Sequence, residues 1–361
     1  MAIARLLDQP DDYKRLGVNP DKVEVWEDRR RDDARPNHWE WWYFDAILDD
    51  GTTVVIQFFT KSGMHLKENG DHPSFHIKVT LPDGTLYSES PTFRAKEASY
   101  GEDQCNVRFG SNIFKGDLRE YVIHVETTKG IGADLKLTSL SKSYRPGTAY
   151  FNFGSEEKYY TWLCAVPKGE VTGTLTVGGK TTEVHGFGYH DHQWGNVNFL
   201  TEWNHWLWAR QSFDDYSMLV FDMVSNKNTE YSRFPIMFIQ DKDGNIVFEN
   251  THNVTCEVLE EYHDDEASGK DYPKALHYSF ENDGKQVDYT LKVKKVLENT
   301  GIKNLPAARK LVIGFLGISP SYTRYLASGE LVFKNGDEAI NRSGELIYEF
   351  MFPGNSYKGH I

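Results

Sequence analysis

The chain has 361 residues, of which 39% are hydrophobic and 14% aromatic, and its formal net charge is −13 at pH 7. A net charge of this sign opposes binding to nucleic acid and to anionic membrane surfaces. No apolar run approaches the ~18 residues that a membrane-spanning helix requires, so we expect about two globular domains without stable membrane insertion.

The N-terminal segment, MAIARLLDQPDDYKRLG, is too acidic and too weakly apolar for a secretory signal. The three cysteines are odd in number and widely spaced, unlike a disulfide framework or a cysteine-based zinc site. Both features predict a cytoplasmic location. The basic run Arg29–Arg31 is followed at once by Asp32–Asp33, which predicts a solvated loop within an N-terminal extension over residues 1–34.

Turn pairs of the Asp-Gly, Asn-Gly and Gly-Gly type recur between runs of β-branched and aromatic residues such as TTVVIQFF and NIVFEN. This alternation of turn and strand signals is typical of antiparallel hairpins. Helical periodicity is scarce. The best short-helix candidate covers residues 305–316, with weaker candidates near residues 11–16 and 266–270. The sequence therefore predicts an all-β fold with few short helices.

The two halves of the chain resemble each other. NHWEW at 37–41 returns as NHWLW at 204–208, and each copy leads through an acidic pair into an apolar strand. GTLTVGGKTTEVHGFGYHDHQW, from residue 173, resembles GELVFKNGDEAINRSGELIYEF, from residue 329. We therefore expect two tandem antiparallel β-domains, 35–198 and 199–361, each a barrel or a curled sheet.

One stretch differs between the two copies. Residues 190–194 read HDHQW, whereas the matching stretch of the second copy, residues 348–352, reads YEFMF. A motif that serves only the scaffold should be present in both copies. This stretch therefore predicts a functional site, and it places that site in the first domain.

Side chains alternate between the two faces of a strand, so His190, His192 and Trp194 are expected to share one face with Gly186 and Gly188. Tyr189, Asp191 and Gln193 are expected on the other face. If the first face lines a barrel interior, the glycines leave room for a ligand beneath the two imidazoles and the indole.

Three interpretations of this stretch remain open. His190 and His192 have the spacing of two metal ligands on one face, with a third ligand to come from His185, His38 or His205. Alternatively, Asp191 and His192 form an acid–base pair, because burial raises the pKa of a carboxylic acid and histidine titrates near neutral pH. In the third interpretation, the polar groups form a satisfied pair at the end of a strand and the tryptophans are core.

The aromatic strand HWEWWYF supplies the candidate walls of a pocket. Trp39, Trp41 and Tyr43 can present their π-faces to a developing cation, together with Trp194, whereas Trp42 is expected in the core. An acid, a base and aromatic walls suit protonation of a C=C bond followed by capture or elimination. Four further histidines lie in polar, loop-like context and are expected on the surface: His65, His72, His76 and His263.

From about residue 35 to residue 352, the chain resembles the carotenoid 1,2-hydratase (hydroxyneurosporene synthase) family of tandem lipocalin-like proteins. Kievitone hydratase and the decalin-forming pericyclases are similar to the same family. The resemblance rests on HWEWWYFDAILDDG, on YYTWLCAVPKGEVTGTLTVGG, and above all on Asp191-His192-Gln193-Trp194-Gly195, which matches the motif Asp-His-x-Trp-Gly.

The resemblance implies two calycin-type β-domains with a ligand cavity in or between them, and no redox or nucleotide cofactor. It implies that His192 and Trp194 lie at the active site with Asp191 beside them. It also assigns a tyrosine and an aspartate early in the second domain, for which Tyr216 and Asp222 are the candidates. Position 190 varies in the family, so His190 is a local feature of this chain, which weakens the metal interpretation.

These observations together predict a cofactor-independent hydratase or isomerase that acts by acid–base chemistry on a C=C bond of a hydrophobic, isoprenoid-like or polyphenolic small molecule. Asp191, His192 and Trp194 are the predicted catalytic residues, and no metal is expected. The predicted substrate-binding residues are Trp39, Trp41, Tyr43, His190, Tyr216 and Asp222. The alternatives are a lipocalin-type carrier without catalysis and a pericyclase that closes a ring without adding water.

Overall fold

The computed structural model describes residues 3–61, 63–305 and 319–361, and antiparallel strands dominate all three ranges. Contacts divide the chain into two compact units. The first domain comprises Leu6–Asn152 and Glu156–Val197, so residues 6–34 pack within it. The second comprises Asn198–Ile361 together with Phe153–Ser155 and residues 3–5. The predicted all-β class with two antiparallel domains is confirmed.

The strands of the first half run from β1 to β13, and most are joined by short turns. Their bounds are β1 Ala4–Leu6, β2 Trp39–Leu48, β3 Thr53–Phe59, β4 Ser74–Thr80, β5 Leu86–Glu89, β6 Ala98–Tyr100, β7 Cys105–Phe109, β8 Asn112–Gly116, β9 Glu120–Thr128, β10 Ile131–Ser139, β11 Tyr150–Phe153, β12 Tyr159–Val177 and β13 Lys180–Gly195. The main sheet has the order β5-β4-β3-β2-β13-β12-β10-β9-β8-β7-β6 and curls into half a barrel.

The second domain repeats this plan with β14 to β22. Their bounds are β14 Trp203–Ser212, β15 Tyr216–Ser225, β16 Arg233–Asp241, β17 Ile246–Asn250, β18 Val254–His263, β19 Asp271–Asn282, β20 Lys285–Thr300, β21 Tyr322–Asn335 and β22 Glu338–Met351. The sheet order is β17-β16-β15-β14-β22-β21-β20-β19-β18. In each domain, the strand that carries the repeated aromatic motif (β2 or β14) pairs with the domain's last strand in chain order (β13 or β22). This is expected for a duplicated unit.

The longest hairpin of the first domain ends in the Gly178-Gly179 pair, where both residues have positive φ (59° and 80°). Two such residues form the tight turn whose twist matches that of antiparallel strands. The turn sets the register of β12 against β13, with Val177 opposite Lys180. Because the long strand β13 also pairs with β2, this register positions residues 190–194 against the aromatic strand.

Helices are short. Pro10–Leu16 (α1) confirms the helix expected near residues 11–16, and Phe199–Glu202 (α2) follows β13. Single 3₁₀ turns cover Val25–Asp28, Gly63–His65, Ala95–Glu97, Lys227–Thr229 and Ile302–Asn304. The helix expected near 266–270 is wrong: Asp264 accepts three backbone N–H groups there and forms a turn. The helix expected over 305–316 lies, from residue 306 onward, outside the described residues.

In the described ranges, no helix is both long enough and apolar enough to cross a membrane. Each sheet encloses its own core. That of the first domain contains Trp42, Phe44 and Trp194, and that of the second contains Tyr289, Tyr348 and Phe350. The core position expected for Trp42 is thereby confirmed.

Candidate active site

Strand β13 directs alternate side chains to opposite faces of the sheet, as its sequence predicts. Its core-facing residues pair with core-facing residues of β2: His190 with Phe44, His192 with Trp42, and Trp194 with Glu40. Tyr189, Asp191 and Gln193 face the other way. The predicted catalytic residues therefore divide between two faces, with His192 and Trp194 on one and Asp191 on the other.

The two glycines on the core-facing side leave no room beside them even for a methyl group. A Cβ atom on Gly186 would lie 2.3 Å from the backbone oxygen of Ile47. A Cβ atom on Gly188 would lie 2.7 Å both from the backbone oxygen of Asp45 and from a methyl group of Val171. The sequence-based expectation of an open space here is wrong, because the neighbouring strand and core already fill it.

The imidazole of His192 lies between two carboxylates in the core. Its Nε2 atom is 2.8 Å from Glu40 Oε1, and its Nδ1 atom is 3.2 Å from Asp28 Oδ1. The ring stacks on Trp42 with centroids 4.6 Å apart, and Trp194 lies 4.7 Å away. Burying three ionisable groups is costly unless their charges compensate one another, so this arrangement favours an imidazolium between two anions.

His190 lies against the same aspartate. Its Nδ1–H group donates to the backbone oxygen of Tyr43 at 2.8 Å, and its Nε2 atom is 3.1 Å from Asp28 Oδ2. Because Nδ1 already carries a proton, a hydrogen bond between Nε2 and Asp28 requires a second proton between these two atoms. The Tyr121 hydroxyl also donates to Asp28 Oδ2, at 2.6 Å. Asp28 is therefore the hub of a buried proton network.

Backbone amides hold Glu40 in place. The N–H groups of Arg31 and Asp32 donate to its two carboxylate oxygens at 2.7 and 2.9 Å. The guanidinium of Arg31 lies over the ring of Trp194, 4.7 Å from its centroid. The prediction that the run Arg29–Arg31 is a solvated loop is wrong, because it packs against the core and orients a buried carboxylate.

Electrostatic interactions within the cluster stabilise the charged forms of Asp28 and His192. Burial acts to raise the pKa of Asp28, but the charge and hydrogen bond of His190, followed by those of His192, hold it well below its usual value. Burial acts to lower the pKa of His192, but its contacts with Asp28 and Glu40 outweigh that effect and raise it. His192 is therefore a buried acid that keeps its proton above its usual pKa.

Two buried atoms of the cluster have no hydrogen-bond partner among the described residues: Asp28 Oδ1 and His192 Nδ1. They are 3.2 Å apart, but they are not aligned for a hydrogen bond with each other. An unpaired buried polar atom is costly. Here the two atoms are a carboxylate oxygen and an imidazole nitrogen side by side in the core.

Asp191 has different neighbours on the opposite face. Its carboxylate accepts hydrogen bonds from Trp162 Nε1 at 3.1 Å, from the Tyr189 hydroxyl at 2.9 Å and from Gln193 Nε2 at 3.2 Å. Burial raises its pKa to about 6, although these donors act to lower it. The expected pairing of Asp191 with His192 is not present. Adjacent residues of an extended strand cannot converge on one point.

The aromatic side chains expected to line a pocket lie on the same face as Asp191. Trp39 stacks on Trp41 with centroids 4.5 Å apart. The Tyr43 hydroxyl donates to Asp45 at 3.2 Å, and its ring lies 6.3 Å from that of Tyr189. Trp39 is buried, whereas Trp41 and Tyr43 are half-buried. They form a second aromatic and acidic surface, separate from His190 and His192.

The two second-domain candidates lie apart on β15. Asp222 is buried, where Arg233 donates to both its oxygens at 2.9 and 2.7 Å and the Tyr278 hydroxyl donates at 3.1 Å. Tyr216 is half-buried at the beginning of the strand, near the guanidinium of Arg342. The structure does not bring these two residues together.

The second domain replaces the charged cluster by apolar groups. The repeated NHW motif aligns Glu40 with Leu207, and strand pairing then aligns Trp194 with Phe350 and His192 with Tyr348. The correspondence of residues 190–194 with 348–352 expected from the sequence is wrong by two positions. A shift of two preserves the alternation of faces, so the pattern could not reveal it. At these aligned positions, the charged groups are present in the first domain and absent from the second.

Sequence reasoning missed Asp28 and Glu40. Glu40 had a usable signal, because it is the one position that differs between NHWEW and NHWLW. Asp28 had none. It lies in the 3₁₀ turn Val25–Asp28, which is fixed by the hydrogen bond from Trp42 Nε1 to the backbone oxygen of Asp28 and by the buried ion pair of Glu27 with Arg145.

Ligand atoms for a metal are present in the cluster. Asp28, Cys105 and His190 place an oxygen, a sulfur and a nitrogen within 4.8 Å of one another. However, Cys105 Sγ contacts the backbone oxygen of Phe114 at 3.6 Å, and His190 Nε2 already contacts Asp28. Burial raises the pKa of the Cys105 thiol well above its usual value, and a metal binds the thiolate, so this set is poorly suited to a metal. Two further sets with metal-ligand spacing are Asp32, Asp33 and His38, and His65, Glu68 and His72.

Comparison with known proteins relates this chain to a family and to curated sequences. A family model described as AttH-like matches residues 29–303. Over 205 residues the chain is 26% identical to the quinolone epoxide rearrangement protein asqO of Emericella nidulans, covering 53% of this chain and 56% of that protein. Over 208 residues it is 27% identical to a hydroxyneurosporene dehydrogenase of Chlorobaculum tepidum, covering 48% and 54%. The chain thus spans about half the length of the curated relatives it matches.

Solved structures show the same fold. The kievitone hydratase of Nectria haematococca superposes with a TM-score of 0.54 at 12% identity, and the match covers 98% of both chains. At this identity the likeness extends to the arrangement of strands and not to the chemistry.

Proposed function

The chain belongs to the AttH-like family, and we propose that its first domain is an acid–base enzyme, a hydratase or isomerase acting on a C=C bond of a hydrophobic small molecule. The observation that carries this proposal is the buried imidazole of His192 between Glu40 and Asp28. An acid kept protonated inside an apolar core is the group needed to protonate a substrate that has no basic atom of its own.

In this proposal His192 donates the proton. Glu40 stabilises the imidazolium from one side, and its two backbone N–H contacts hold the carboxylate in place. Once His192 has given up its proton, its charge no longer lowers the pKa of Asp28. Asp28 Oδ1, which has no hydrogen-bond partner among the described residues, then accepts the proton released when water adds or when the cation eliminates, and returns it to His192 Nδ1, 3.2 Å away. The rings of Trp42 and Trp194 flank the imidazole and stabilise positive charge through their π-faces.

One of the curated relatives, a quinolone epoxide rearrangement protein, supports acid chemistry on strained molecules. Protonation of an epoxide oxygen opens the ring and produces a carbocation. Protonation of an alkene carbon also produces a carbocation. An epoxide is therefore a second candidate substrate class for the same proton donor, in addition to isoprenoid-like and polyphenolic alkenes.

The experiment is mass spectrometry of acyclic isoprenoids, polyenes, flavonoid-like phenols and aryl epoxides incubated in ¹⁸O-labelled water. Wild type is compared with His192→Gln and with Asp191→Asn, which removes the carboxylic acid of the opposite face. His185→Gln is the matched control, because this exposed histidine also contacts two carboxylates, Asp49 and Glu170.

The proposal expects a labelled or isomerised product with wild type, the control and Asp191→Asn, and its loss in His192→Gln. Turnover that survives in His192→Gln but disappears in Asp191→Asn would move the chemistry to the opposite face. Compounds bound by every variant and changed by none would contradict the proposal in favour of a carrier.

A further inference from the structure

The loop between β3 and β4 gathers two histidines around one glutamate. His65 Nδ1 is 3.0 Å from Glu68 Oε1, and His72 Nε2 is 3.1 Å from Glu68 Oε2. The two imidazoles are parallel within 4°, with centroids 4.3 Å apart. All three side chains are partly exposed, and one ligand atom of each lies within 4.8 Å of the others.

The backbone of this loop is fixed by contacts within the first domain. Lys61 is buried, and its ammonium donates to the backbone oxygens of Ala34, Arg35 and Glu68 at 2.7–2.9 Å. The amide of His72 donates to the backbone oxygen of Thr60 at 2.9 Å. The ligand atoms are therefore held on a framework that persists without a metal.

A second set of contacts ties the loop to the segment before β2. The N–H group of Gly70 donates to the backbone oxygen of Ala34 at 3.0 Å. Asp71 receives two hydrogen bonds from Arg30, at 2.6 and 3.0 Å. Preorganised ligands lose little conformational freedom on binding, which favours affinity.

We propose that His65, Glu68 and His72 form a binding site for a divalent transition-metal ion, with Zn²⁺ as the reference ion. Two imidazoles and one carboxylate are ligands that Zn²⁺ prefers. In a tetrahedral site with bonds of ~2.0–2.1 Å, neighbouring ligand atoms are about 3.3 Å apart. The observed nitrogen–oxygen separations are close to that value. Because the two rings are parallel, one partly exposed imidazole must rotate before both nitrogens direct their lone pairs at the same ion.

The exposure of the three side chains leaves the remaining coordination position open to water. The site is thus open on one side, unlike a closed structural zinc site. Other exposed histidines contact carboxylates as well, but His185 and His263 each do so as single imidazoles. Of the three candidate sets among the described residues, the His65–Glu68–His72 cluster has two imidazoles and the other two have one each.

An ion at this site would also stabilise the segment that orients Glu40. The loop contacts Ala34 and Arg35, and the preceding residues Arg31 and Asp32 supply the N–H groups bound to Glu40. Because the ion binds the folded loop, the thermal midpoint of the protein should rise with Zn²⁺ concentration.

The test uses the full chain, freed of metal with a chelator and then titrated with Zn²⁺ alone by calorimetry. Wild type should bind one equivalent that His65→Ala and His72→Ala each weaken by ~10-fold or more, while His185→Ala leaves it unchanged. Cys105→Ser should also leave it unchanged, which separates this site from the buried Asp28, Cys105 and His190 set. All these variants should fold, because His65, His72 and His185 are exposed and Ser is close to Cys in size.

Unchanged stoichiometry and affinity in the double variant His65→Ala/His72→Ala would overturn the proposal, as would the absence of any binding to wild type at millimolar Zn²⁺. Loss of binding in Cys105→Ser but not in His65→Ala would equally overturn it. None of these outcomes depends on catalytic turnover, so the experiment tests the metal site independently of the proposed function.

Discussion

Glu40 Oε1 lies 2.8 Å from His192 Nε2, and neither side chain has any exposure to solvent. Two backbone N–H groups complete the hydrogen bonding of the carboxylate, so Glu40 cannot rotate away without losing three contacts. An ion pair held in this way in an apolar core is costly to form and more costly to break. Through this ion pair, the N-terminal segment and strand β2 are both held against the imidazole of His192 on β13.

The first prediction concerns this pair. Glu40→Gln keeps the shape of the side chain but removes its charge, and it leaves His192 with Asp28 alone. Breaking a buried pair typically costs about 3–5 kcal/mol, and we expect a loss near the lower end because Asp28 remains. Denaturant unfolding of wild type and variant measures the difference.

Glu170→Gln is the control for the first prediction. Glu170 also contacts a histidine, His185, at 3.1 Å, but both side chains are about half exposed. An exposed pair contributes ~0–1 kcal/mol, so this variant should unfold almost as wild type does. Equal losses in Glu40→Gln and Glu170→Gln would contradict the assignment of a buried ion pair.

The second prediction concerns pH and Asp191. Its pKa is about 6 in the folded protein and 3.8 without the fold, so the folded state binds more protons between these values. Stability contributed through Asp191 is therefore lost as pH rises from about 4 to about 6, and it is constant above that range. The loss amounts to ~3 kcal/mol, because each pH unit is worth ~1.4 kcal/mol.

Asp191→Asn isolates this effect, because other groups titrate equally in both proteins. The free energy of unfolding of the variant, relative to wild type, should rise by ~3 kcal/mol between pH 4 and pH 7. Denaturant unfolding at several pH values measures the difference. A difference between the two proteins that stays constant with pH would show that Asp191 titrates normally.

The third prediction compares two glycines on the last strands of the two domains, β13 and β22. An added Cβ on Gly186 would lie 2.3 Å from a backbone oxygen, whereas one on Gly344 would meet only the flexible end of Gln211, at 3.3 Å. Gly186→Ala should therefore cost ~2 kcal/mol or more and Gly344→Ala much less. Thermal unfolding of both variants is the measurement, and a reversed order would show that β2 and β13 are not packed as described.

The fold was predictable because its signals are local. Gly-Gly and Asp-Gly turns between β-branched runs specify hairpins, and the repeated NHW motif specifies duplication. The alternation of His190, Asp191 and His192 along one strand also followed from strand geometry. The same alternation already argued against pairing Asp191 with His192, because adjacent residues point to opposite faces.

The composition of the buried cluster was not predictable in the same way. Asp28 reaches His192 from 164 positions earlier in the chain, through a short 3₁₀ turn whose sequence resembles a polar loop. No feature of the neighbouring sequence distinguishes an aspartate that is buried in the fold from one that remains in water. The difference arises from the tertiary contacts of Trp42, Tyr121 and His190.

The most direct test of the central claim is NMR titration of protein labelled with ¹⁵N-histidine, in which loss of a signal in His192→Gln assigns that residue. The account predicts that both ring nitrogens of His192 stay protonated beyond pH 6.5, the ordinary value for histidine, and that Glu40→Gln lowers the midpoint. A neutral ring below pH 6.5 in wild type would contradict the account, because a buried imidazole without its proton cannot be the acid.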